Sequence, residues 1–282
     1  MLNKFKNIIL NPFKNFFNKF RIPLTAIQDL LVMRQFKKDI ENPKNPLNKF
    51  GKKCFSQTDE DGITLEIIRR MKVNNGIFCE IGSGNGLENN TLILAAMGWK
   101  GTWFDTRELA FDYKENKRFK FIKKFVTNEN IIDCVNIGFK KFNNKEIDFM
   151  SIDVDGNDLY FVDHLLKNSV TPKVVVVEIN AKYPPPVEFQ IDYNKNFEEA
   201  HDYYGASLTS FNNIFSKYNY KLVCCTLMRG HNAFFVREDF KNLFNDVPND
   251  INQIYNIPNF WSYSWNFGPK VSSKTVEKVL EE

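Results

Sequence analysis

The stretch of the chain that best suits chemistry is a polar turn after a short apolar run. Residues 78–86 read FCEIGSGNG, in which Glu80 precedes glycines at every second position, Gly82, Gly84 and Gly86. Glycine tolerates a positive φ and has no Cβ, so backbone N–H groups in such a turn can approach a ligand closely. The pattern therefore predicts a cradle for a nucleotide-type cofactor. Its spacing differs from the G-x-G-x-x-G of dinucleotide-binding folds, which counts against NAD(P).

A second polar group follows two predicted strands further along the chain. Asp153 and Asp155 come after one strand, and Glu178 and Asn180 lie at the end of the next. Ligands bind at the carboxyl ends of strands in an open α/β sheet, so these side chains should face the cofactor. Oxygen ligands suit Mg²⁺ or another divalent cation, which would acidify a substrate hydroxyl. Two alternatives stay open: Asp155 as a metal-free general base, and a simple turn with Asp158 capping the following helix.

Three single residues complete the candidates for chemistry. Asp105 ends a predicted strand roughly 20 residues beyond the glycine turn, where a carboxylate can accept hydrogen bonds from ribose hydroxyls. An ordinary strand-end carboxylate or helix cap is the alternative. His201 and His231 lie in predicted loops, and either could act as a base because imidazole titrates near neutral pH. Lone histidines in surface loops are more often not catalytic.

The elements that must position these residues alternate between strands and helices from Phe55 onward. The run Val174–Val177 indicates a strand buried on both faces of a parallel sheet, and the last two strands form an antiparallel hairpin. The predicted strands are Gly76–Ile81, Gly101–Phe104, Phe119–Val126, Ile147–Ile152, Lys173–Ile179, Lys221–Leu227 and Ala233–Val236. The predicted helices among them are Thr64–Met71, Asn90–Met97 and Leu208–Lys217. The pattern predicts an α/β fold.

These features resemble the class I S-adenosylmethionine (SAM) dependent methyltransferases. The E-x-G-x-G-x-G pattern resembles their motif I, and their sheet also ends in an antiparallel strand. Residues 55–62, FSQTDEDG, look like the S-Q-x-x-E-D-G segment before motif I in FkbM-like methyltransferases, a group associated with sugar and polysaccharide modification. Residues 147–156, IDFMSIDVDG, resemble that group's DFLKIDVEG phrase, with Asp155 in place of Glu. The resemblance spans residues 55–240.

The resemblance implies a Rossmann-like, mostly parallel sheet of seven strands with the last antiparallel, preceded by an N-terminal helical extension. It implies that SAM is bound, with its ribose on Asp105, by Gln57, Glu80, Gly82, Ser83, Gly84, Gly86, Asn90, Asp105 and Asp153. Candidate catalytic residues are Asp153, Asp155 and His201. A divalent cation is expected on Asp153, Asp155, Glu178 and Asn180, as in metal-dependent O-methyltransferases.

The function that the resemblance implies is SAM-dependent O-methylation of a sugar hydroxyl in surface polysaccharide or glycan biosynthesis. The expected acceptor is a sugar, a sugar nucleotide or a glycan. Two other classes stay open: an NAD(P)-dependent Rossmann enzyme, and a non-catalytic protein that retains the SAM-binding fold.

The composition limits which binding partners and which cellular compartment are expected. The chain has 282 residues, with 38 basic and 34 acidic side chains, and this mixed charge does not imply nucleic acid as a partner. The five cysteines show no C-x-x-C spacing, so neither a disulfide framework nor a zinc site is indicated, and a reducing cytosol fits best. No apolar run reaches the roughly 18 residues of a membrane span. We expect a cytoplasmic protein, at most peripheral to the inner face of the membrane.

Two end segments flank the predicted methyltransferase domain, residues 51–245. Residues 1–50 are expected to be a helical extension with a helix at Ile27–Asp39, and residues 1–20 form a basic amphipathic segment. This segment could contact an anionic membrane surface, or pack on the domain or on a second subunit. Residues 246–282 form an aromatic tail whose rings could stack on a sugar or form a homodimer interface. Its aromatic residues are Tyr255, Phe260, Trp261, Tyr263 and Trp265.

Overall fold

The computed structural model describes residues 27, 30–31, 33–140, 142, 146–197, 201–258 and 272–280. The chain divides into two units, residues 1–42 and 43–282. In the first unit, residues 33–41 are helical. Residues 1–20 and the tail aromatics at 260–265 lie outside the described residues, and the predicted boundaries at 50 and 245 stay predictions. Within the described ranges, no helix is both long and apolar enough to cross a membrane.

Seven strands form one sheet in the second unit. The strands β1 to β7 are Ile77–Ile81, Lys100–Asp105, Phe119–Lys123, Phe149–Ile152, Val174–Glu178, Tyr220–Cys225 and Asn232–Arg237. Their order across the sheet is β3-β2-β1-β4-β5-β7-β6. The first five strands pair in parallel, and β7 is antiparallel to both of its neighbours. The predicted α/β fold, a mostly parallel seven-stranded sheet with an antiparallel last strand, is confirmed.

Helices connect and cover the strands. Among the described residues of this unit, the α-helices are Glu60–Met71, Leu92–Ala96, Ile131–Lys140, Asp158–Lys167, Leu208–Lys217, Ile251–Ile254 and Ser273–Val279, and 3-10 helices occupy Pro46–Phe50 and Glu238–Phe244. The helix Ile131–Lys140 was not predicted. It packs closely on β2 at Gly138, whose carbonyl accepts a hydrogen bond from Thr102 Oγ1 at 3.2 Å. A Cβ at Gly138 would lie 3.0 Å from the Phe104 ring, so a small residue lets this helix approach the sheet.

Aromatic residues fill much of the core. The Phe215 and Phe235 rings stack with their centroids 3.9 Å apart, and the Trp103 and Phe119 rings lie 4.9 Å apart. The Val174–Val177 run is at most 2% exposed, which confirms a strand covered on both faces. These contacts give part of the chain's 28 phenylalanines a structural role.

A long connection joins β5 to the helix Leu208–Lys217, and its described residues are anchored to the start of the helix Asp158–Lys167. Asn157 Nδ2 donates a hydrogen bond to the Asn194 carbonyl at 2.8 Å, and the Tyr193 amide donates to the Tyr160 hydroxyl at 3.1 Å. Tyr183, Phe189 and Ile191 form a small apolar cluster within it. This connection therefore contributes a wall at the carboxyl edge of the sheet.

Replacing Leu165 with alanine should test the core assignment. This side chain is 1% exposed, and its removal would leave a cavity, so we expect Leu165→Ala to lower the free energy of unfolding by about 2–5 kcal/mol. The matched variant Leu243→Ala, at a side chain that is 43% exposed, should cost less than about 1 kcal/mol. Urea unfolding followed by circular dichroism measures both. Equal losses for the two variants would contradict the assignment.

Candidate active site

A cleft with a volume of about 690 Å³ opens at the carboxyl edge of the sheet. Its size lies in the range of roughly 300–1,000 Å³ that is typical of small-molecule sites. Seven of the residues predicted from the sequence line it, namely Gln57, Gly82, Gly84, Asp105, Asp153, Asp155 and Glu178. The other predicted site residues are not among its lining residues. They are Glu80, Ser83, Gly86, Asn90, Asn180 and His201.

The three glycines of the turn all have a left-handed backbone, with φ of 89° at Gly82, 61° at Gly84 and 79° at Gly86. A Cβ at Gly82 would lie 1.6 Å from the carbonyl oxygen of Asp153, because the backbone of the turn is in close contact with the backbone at Asp153. At Gly86 a Cβ would lie 2.7 Å from the Phe111 ring. The turn needs glycine at these two positions for conformation and for space.

Glu80 supports the turn from beneath instead of facing the cleft. Its buried carboxylate accepts hydrogen bonds from the Asn90 amide at 2.9 Å and from Thr91 Oγ1 at 2.5 Å. Thr91 Oγ1 in turn accepts one from Trp103 Nε1 at 2.9 Å, and Asn90 Nδ2 donates to Ser151 Oγ at 3.1 Å. Burial raises the pKa of Glu80 to about 7. Glu80 and Asn90 were predicted to contact the cofactor. In the structure, their side chains instead hold the glycine turn in place through hydrogen bonds.

Asp105 ties the glycine turn to the end of β2. Its Oδ2 accepts the Gly84 amide at 2.6 Å, and its Oδ1 accepts the Arg107 amide at 2.8 Å. Arg107 Nε lies 3.3 Å from the same Oδ1. A carboxylate oxygen has two lone pairs, so Oδ2 can accept one further hydrogen bond from a ligand hydroxyl. Asp105 lines the cleft, and its contact with a ribose stays a prediction.

In the segment at residues 56–62, Gln57 lines the cleft, whereas the acidic side chains accept hydrogen bonds from other groups of the protein. Asp61 Oδ2 accepts hydrogen bonds from three consecutive backbone amides, residues 54–56, at 2.6–2.8 Å. Asp59 accepts hydrogen bonds from the amides of residues 227–228, in the loop between β6 and β7. Burial raises the pKa of Asp59 to about 6. The acidic residues of this segment therefore fold the loop, and Gln57 remains exposed in the cleft.

Three carboxylates converge where β4 and β5 end. Asp153, Asp155 and Glu178 each offer an oxygen within 4.8 Å of the others. The side chain of Glu178 is hydrogen-bonded to Asp153. Burial, then the charges of Asp158 and Asp155, raise the pKa of Asp153 well above its ordinary value. Asp155 is exposed and adopts φ 60°, an uncommon backbone conformation for a residue other than glycine. The site thus concentrates negative charge that a proton or a cation would stabilise.

Asp158 shapes the turn that carries this cluster. Its buried carboxylate accepts hydrogen bonds from the Val154 amide at 2.8 Å and the Gly156 amide at 2.9 Å. Burial raises its pKa to about 7. Asp158 is the first residue of the helix Asp158–Lys167, and Asn157 holds the N-cap position. Asp158 was expected to cap the helix. Its side chain instead holds the turn that precedes the helix.

Two further predicted residues, Asn180 and His201, are not among the residues that line the cleft. Asn180 is fully buried, and its Nδ2 donates hydrogen bonds to the carbonyls of Asp202 and Tyr204, both at 3.0 Å. Its Oδ1 accepts a hydrogen bond from the Lys182 amide at 3.3 Å, so the carboxamide holds the connection after β5 and does not line the cleft. His201 is exposed in a turn outside the cleft, so it is not positioned to act as the predicted base.

The other loop histidine lies beside the acids. His231 Nδ1 is 4.0 Å from Glu178 Oε1. Burial, with a contribution from the charge of Arg229, lowers the pKa of His231 to about 4, so its imidazole is neutral at pH 7. Of the two loop histidines considered from the sequence, His231 is the one placed next to the carboxylate cluster.

Further cleft residues were missed by the sequence analysis. Arg107 follows β2, and residues 124–126 follow β3, so the strand-end rule applied to Asp153 would have found both groups. Lys195 and Phe197 also line the cleft, but they lie within the long connection after β5. Their position depends on hydrogen bonds between Asn157 and Asn194, which the sequence pattern does not reveal.

Neither a protein-family model nor a curated protein sequence matches the chain. Solved structures similar to it include a putative O-methyltransferase from Nostoc punctiforme, 12% identical over 61% of this chain and 55% of that one, with a TM-score of 0.38. Another is the 1,6-didemethyltoxoflavin N1-methyltransferase of Burkholderia thailandensis, 9% identical over 74% and 87%, at 0.39. A putative hemolysin from Streptococcus thermophilus is 14% identical over 72% and 74%, at 0.42. Similarity at this level carries no argument about activity, which has to rest on the residues of the cleft.

The buried carboxyl of Glu80 should make stability depend on pH. Its pKa is about 7 in the folded protein against an ordinary 4.5, so between these values the folded protein holds a proton that the unfolded chain releases. The free energy of unfolding should therefore fall as the pH rises from about 5 to about 8, by on the order of 3 kcal/mol for this residue. Asp59 and Asp158 act in the same direction because burial raises their pKa as well.

Urea unfolding at the two pH values tests this expectation. Glu80→Gln should show a smaller fall in stability than the unmodified protein, because the glutamine side chain does not ionise. Glu115→Gln, at an exposed position, serves as the control and should leave the fall unchanged. A fall in Glu80→Gln as large as that of the unmodified protein would show that Glu80 is not the group responsible.

Proposed function

We propose that this protein is a SAM-dependent O-methyltransferase that acts on a sugar hydroxyl in surface polysaccharide or glycan biosynthesis. The observation that carries the proposal is a single cleft that combines two features. One is a turn of left-handed glycines tied to the strand-end carboxylate of Asp105. The other is the cluster of Asp153, Asp155 and Glu178. The first suits a nucleoside-bearing cofactor, and the second suits activation of a hydroxyl.

The cleft residues suit the separate parts of SAM. The glycine turn would hold the methionine portion, because its backbone can approach a ligand closely at Gly82 and Gly84. Asp105 would accept a ribose hydroxyl on its Oδ2. Phe125 and Val126 follow β3 and supply an apolar wall on which an adenine ring could pack. When bound, SAM supplies a methyl group on a positively charged sulfur.

The acids would take up the proton that methyl transfer releases. As the acceptor oxygen forms its bond to the methyl carbon and the sulfur–carbon bond breaks, the hydroxyl proton has to leave. Asp155 is the exposed member of the cluster and can receive it. Asp153 and Glu178 are hydrogen-bonded to each other and would hold their side of the pocket in place. Alignment of the two reacting atoms in the cleft would supply most of the rate enhancement.

A divalent cation fits the same three carboxylates. Their oxygens lie within 4.8 Å of one another. Burial, and then the clustered negative charge, raise the pKa of Asp153, and a bound cation would favour the ionised carboxylate. Oxygen-only ligands suit Mg²⁺ better than zinc. Such a cation, when bound, lowers the pKa of a hydroxyl that it coordinates. We therefore propose Asp153, Asp155 and Glu178 as its ligands and leave out Asn180, which is fully buried and does not line the cleft.

The part of the cleft around Phe197 suits a sugar as the methyl acceptor. Phe197 lines the cleft and packs against Gly156, where a Cβ would lie 2.4 Å from the ring. The ring is thereby held in one place, and aromatic faces stack well on the C–H faces of sugars. Carboxylates close to it, such as Asp155, can accept hydrogen bonds from several hydroxyls.

Calorimetry with SAM, S-adenosylhomocysteine and NAD(H) tests the cofactor proposal. The two SAM-type ligands should bind and NAD(H) should not. Asp105→Ala should weaken SAM binding about tenfold to a hundredfold, because a charge-assisted hydrogen bond to ribose is lost. Asp133→Ala, at an exposed helical position, should bind normally. Unchanged affinity in a folded Asp105→Ala variant would remove the ribose assignment, and binding of NAD(H) alone would favour the dinucleotide alternative.

Titration with Mg²⁺ or Mn²⁺ after treatment with EDTA tests the cation site without a known acceptor. We expect one site per chain and a rise in melting temperature on binding, because the cation stabilises the folded state. Asp155→Asn combined with Glu178→Gln should abolish both effects, whereas Asp163→Asn, outside the cleft, should not. Absence of binding would leave Asp155 as a metal-free base.

A further inference from the structure

The C-terminal helix, Ser273–Val279, is held at its start by one buried carboxylate. Asp202 is 0% exposed, and its Oδ1 accepts hydrogen bonds from the Ser272 amide at 2.8 Å and from Thr275 Oγ1 at 2.9 Å. Its Oδ2 accepts one from Lys182 Nζ at 2.5 Å. A buried carboxylate needs such donors, because burying an unpaired charge is costly. The carboxylate therefore joins the C-terminal helix to the connection after β5.

A second carboxylate holds the same helix one turn later. Lys278 Nζ donates a hydrogen bond to Asp192 Oδ1 at 2.6 Å, and Lys278 shares a helix face with Thr275 because the two lie three positions apart. The Asp192 amide in turn donates to the Tyr203 hydroxyl at 3.2 Å. The helix has seven residues, too few to be stable alone. Its place in the structure therefore depends on these contacts with the connection.

Tyr203 links these contacts to the cleft. Its ring centroid lies 6.1 Å from that of Phe189 and 6.5 Å from that of Phe197. Phe189 stacks on Tyr183 with the centroids 4.1 Å apart. Phe197 lines the cleft and also packs against Gly156, where a Cβ would lie 2.4 Å from the ring. The Phe197 ring thus packs against the aromatic side chains of a connection to which the C-terminal helix is attached.

We propose that the C-terminal helix positions Phe197 as a wall of the cleft, through the two carboxylates that hold the helix. Asp105 is held by a separate set of contacts, because its hydrogen bonds come from Gly84 and Arg107. Detachment of the helix should therefore displace Phe197 and leave cofactor binding unchanged. A role for Phe197 in stacking on the methyl acceptor rests on the proposed function of the cleft, whereas its dependence on the helix does not.

Fluorine NMR of the full-length protein tests this role without a known acceptor. One sample carries 4-fluorophenylalanine at Phe197, and a second carries it at Phe125, in the proposed adenine wall. Thr275→Val with Lys278→Ala removes one donor to each carboxylate. This double variant should move the Phe197 resonance toward that of the free amino acid and leave the Phe125 resonance unchanged. Its affinity for S-adenosylhomocysteine should stay within about twofold of the unmodified protein's.

The matched control is Lys274→Ala with Glu277→Gln, at exposed positions of the same helix, which should move neither resonance. Circular dichroism confirms that each variant is folded, and Lys278→Ala alone replaces the double variant if that one does not fold. An unmoved Phe197 resonance in the folded variant would overturn the inference. Equal movement at Phe125, or in the control, would overturn it as well, because either shows a general loosening of the protein. Failure of the unmodified protein to bind S-adenosylhomocysteine would contradict the proposed function and leave the fluorine comparison valid.

Discussion

The site depends on how closely two stretches of backbone meet at Gly82. A side chain there would begin 1.6 Å from the carbonyl oxygen of Asp153, so only glycine lets the turn after β1 pack against the end of β4. That contact places the proposed cofactor cradle directly beside the acidic cluster. The positive φ of Gly82 then directs the chain toward Gly84, whose amide reaches Asp105. One steric constraint thus fixes the position of the glycine turn, the proposed cofactor site, relative to the acids.

The acidic residues around the cleft divide into two kinds. Asp61, Glu80 and Asp158 are buried and accept hydrogen bonds from backbone amides, so their charge is used to hold turns in place. Asp155 and Glu178 line the cleft, and each offers a carboxylate oxygen within 4.8 Å of the other and of Asp153. Like charges held together are costly, and proteins accept that cost mainly where a proton or a cation is bound. This contrast supports our proposal that the second group takes part in the chemistry.

Much of the fold, and less of the site, could be predicted from the sequence. Alternating apolar strands and the glycine turn are local signals, and they located all seven strands within a few residues. Local signals of this kind do not predict the roles of Glu80 and Asn180. Both sit at or just after the ends of strands, as the cleft residues do, but their partners at residues 90–91 and 202–204 turn them away from the cleft. Burial and long-range hydrogen bonding decide such roles, and neither follows from residue type and spacing.

A crystal structure of the protein with S-adenosylhomocysteine tests the central claim most directly. Our account predicts that the ligand lies in the cleft with its ribose hydroxyls at Asp105. Its sulfur should face the space bounded by Asp153, Asp155 and Glu178, since that is where a methyl group would meet an activated hydroxyl. A ligand bound elsewhere, or a sulfur directed away from the three acids, would contradict the account.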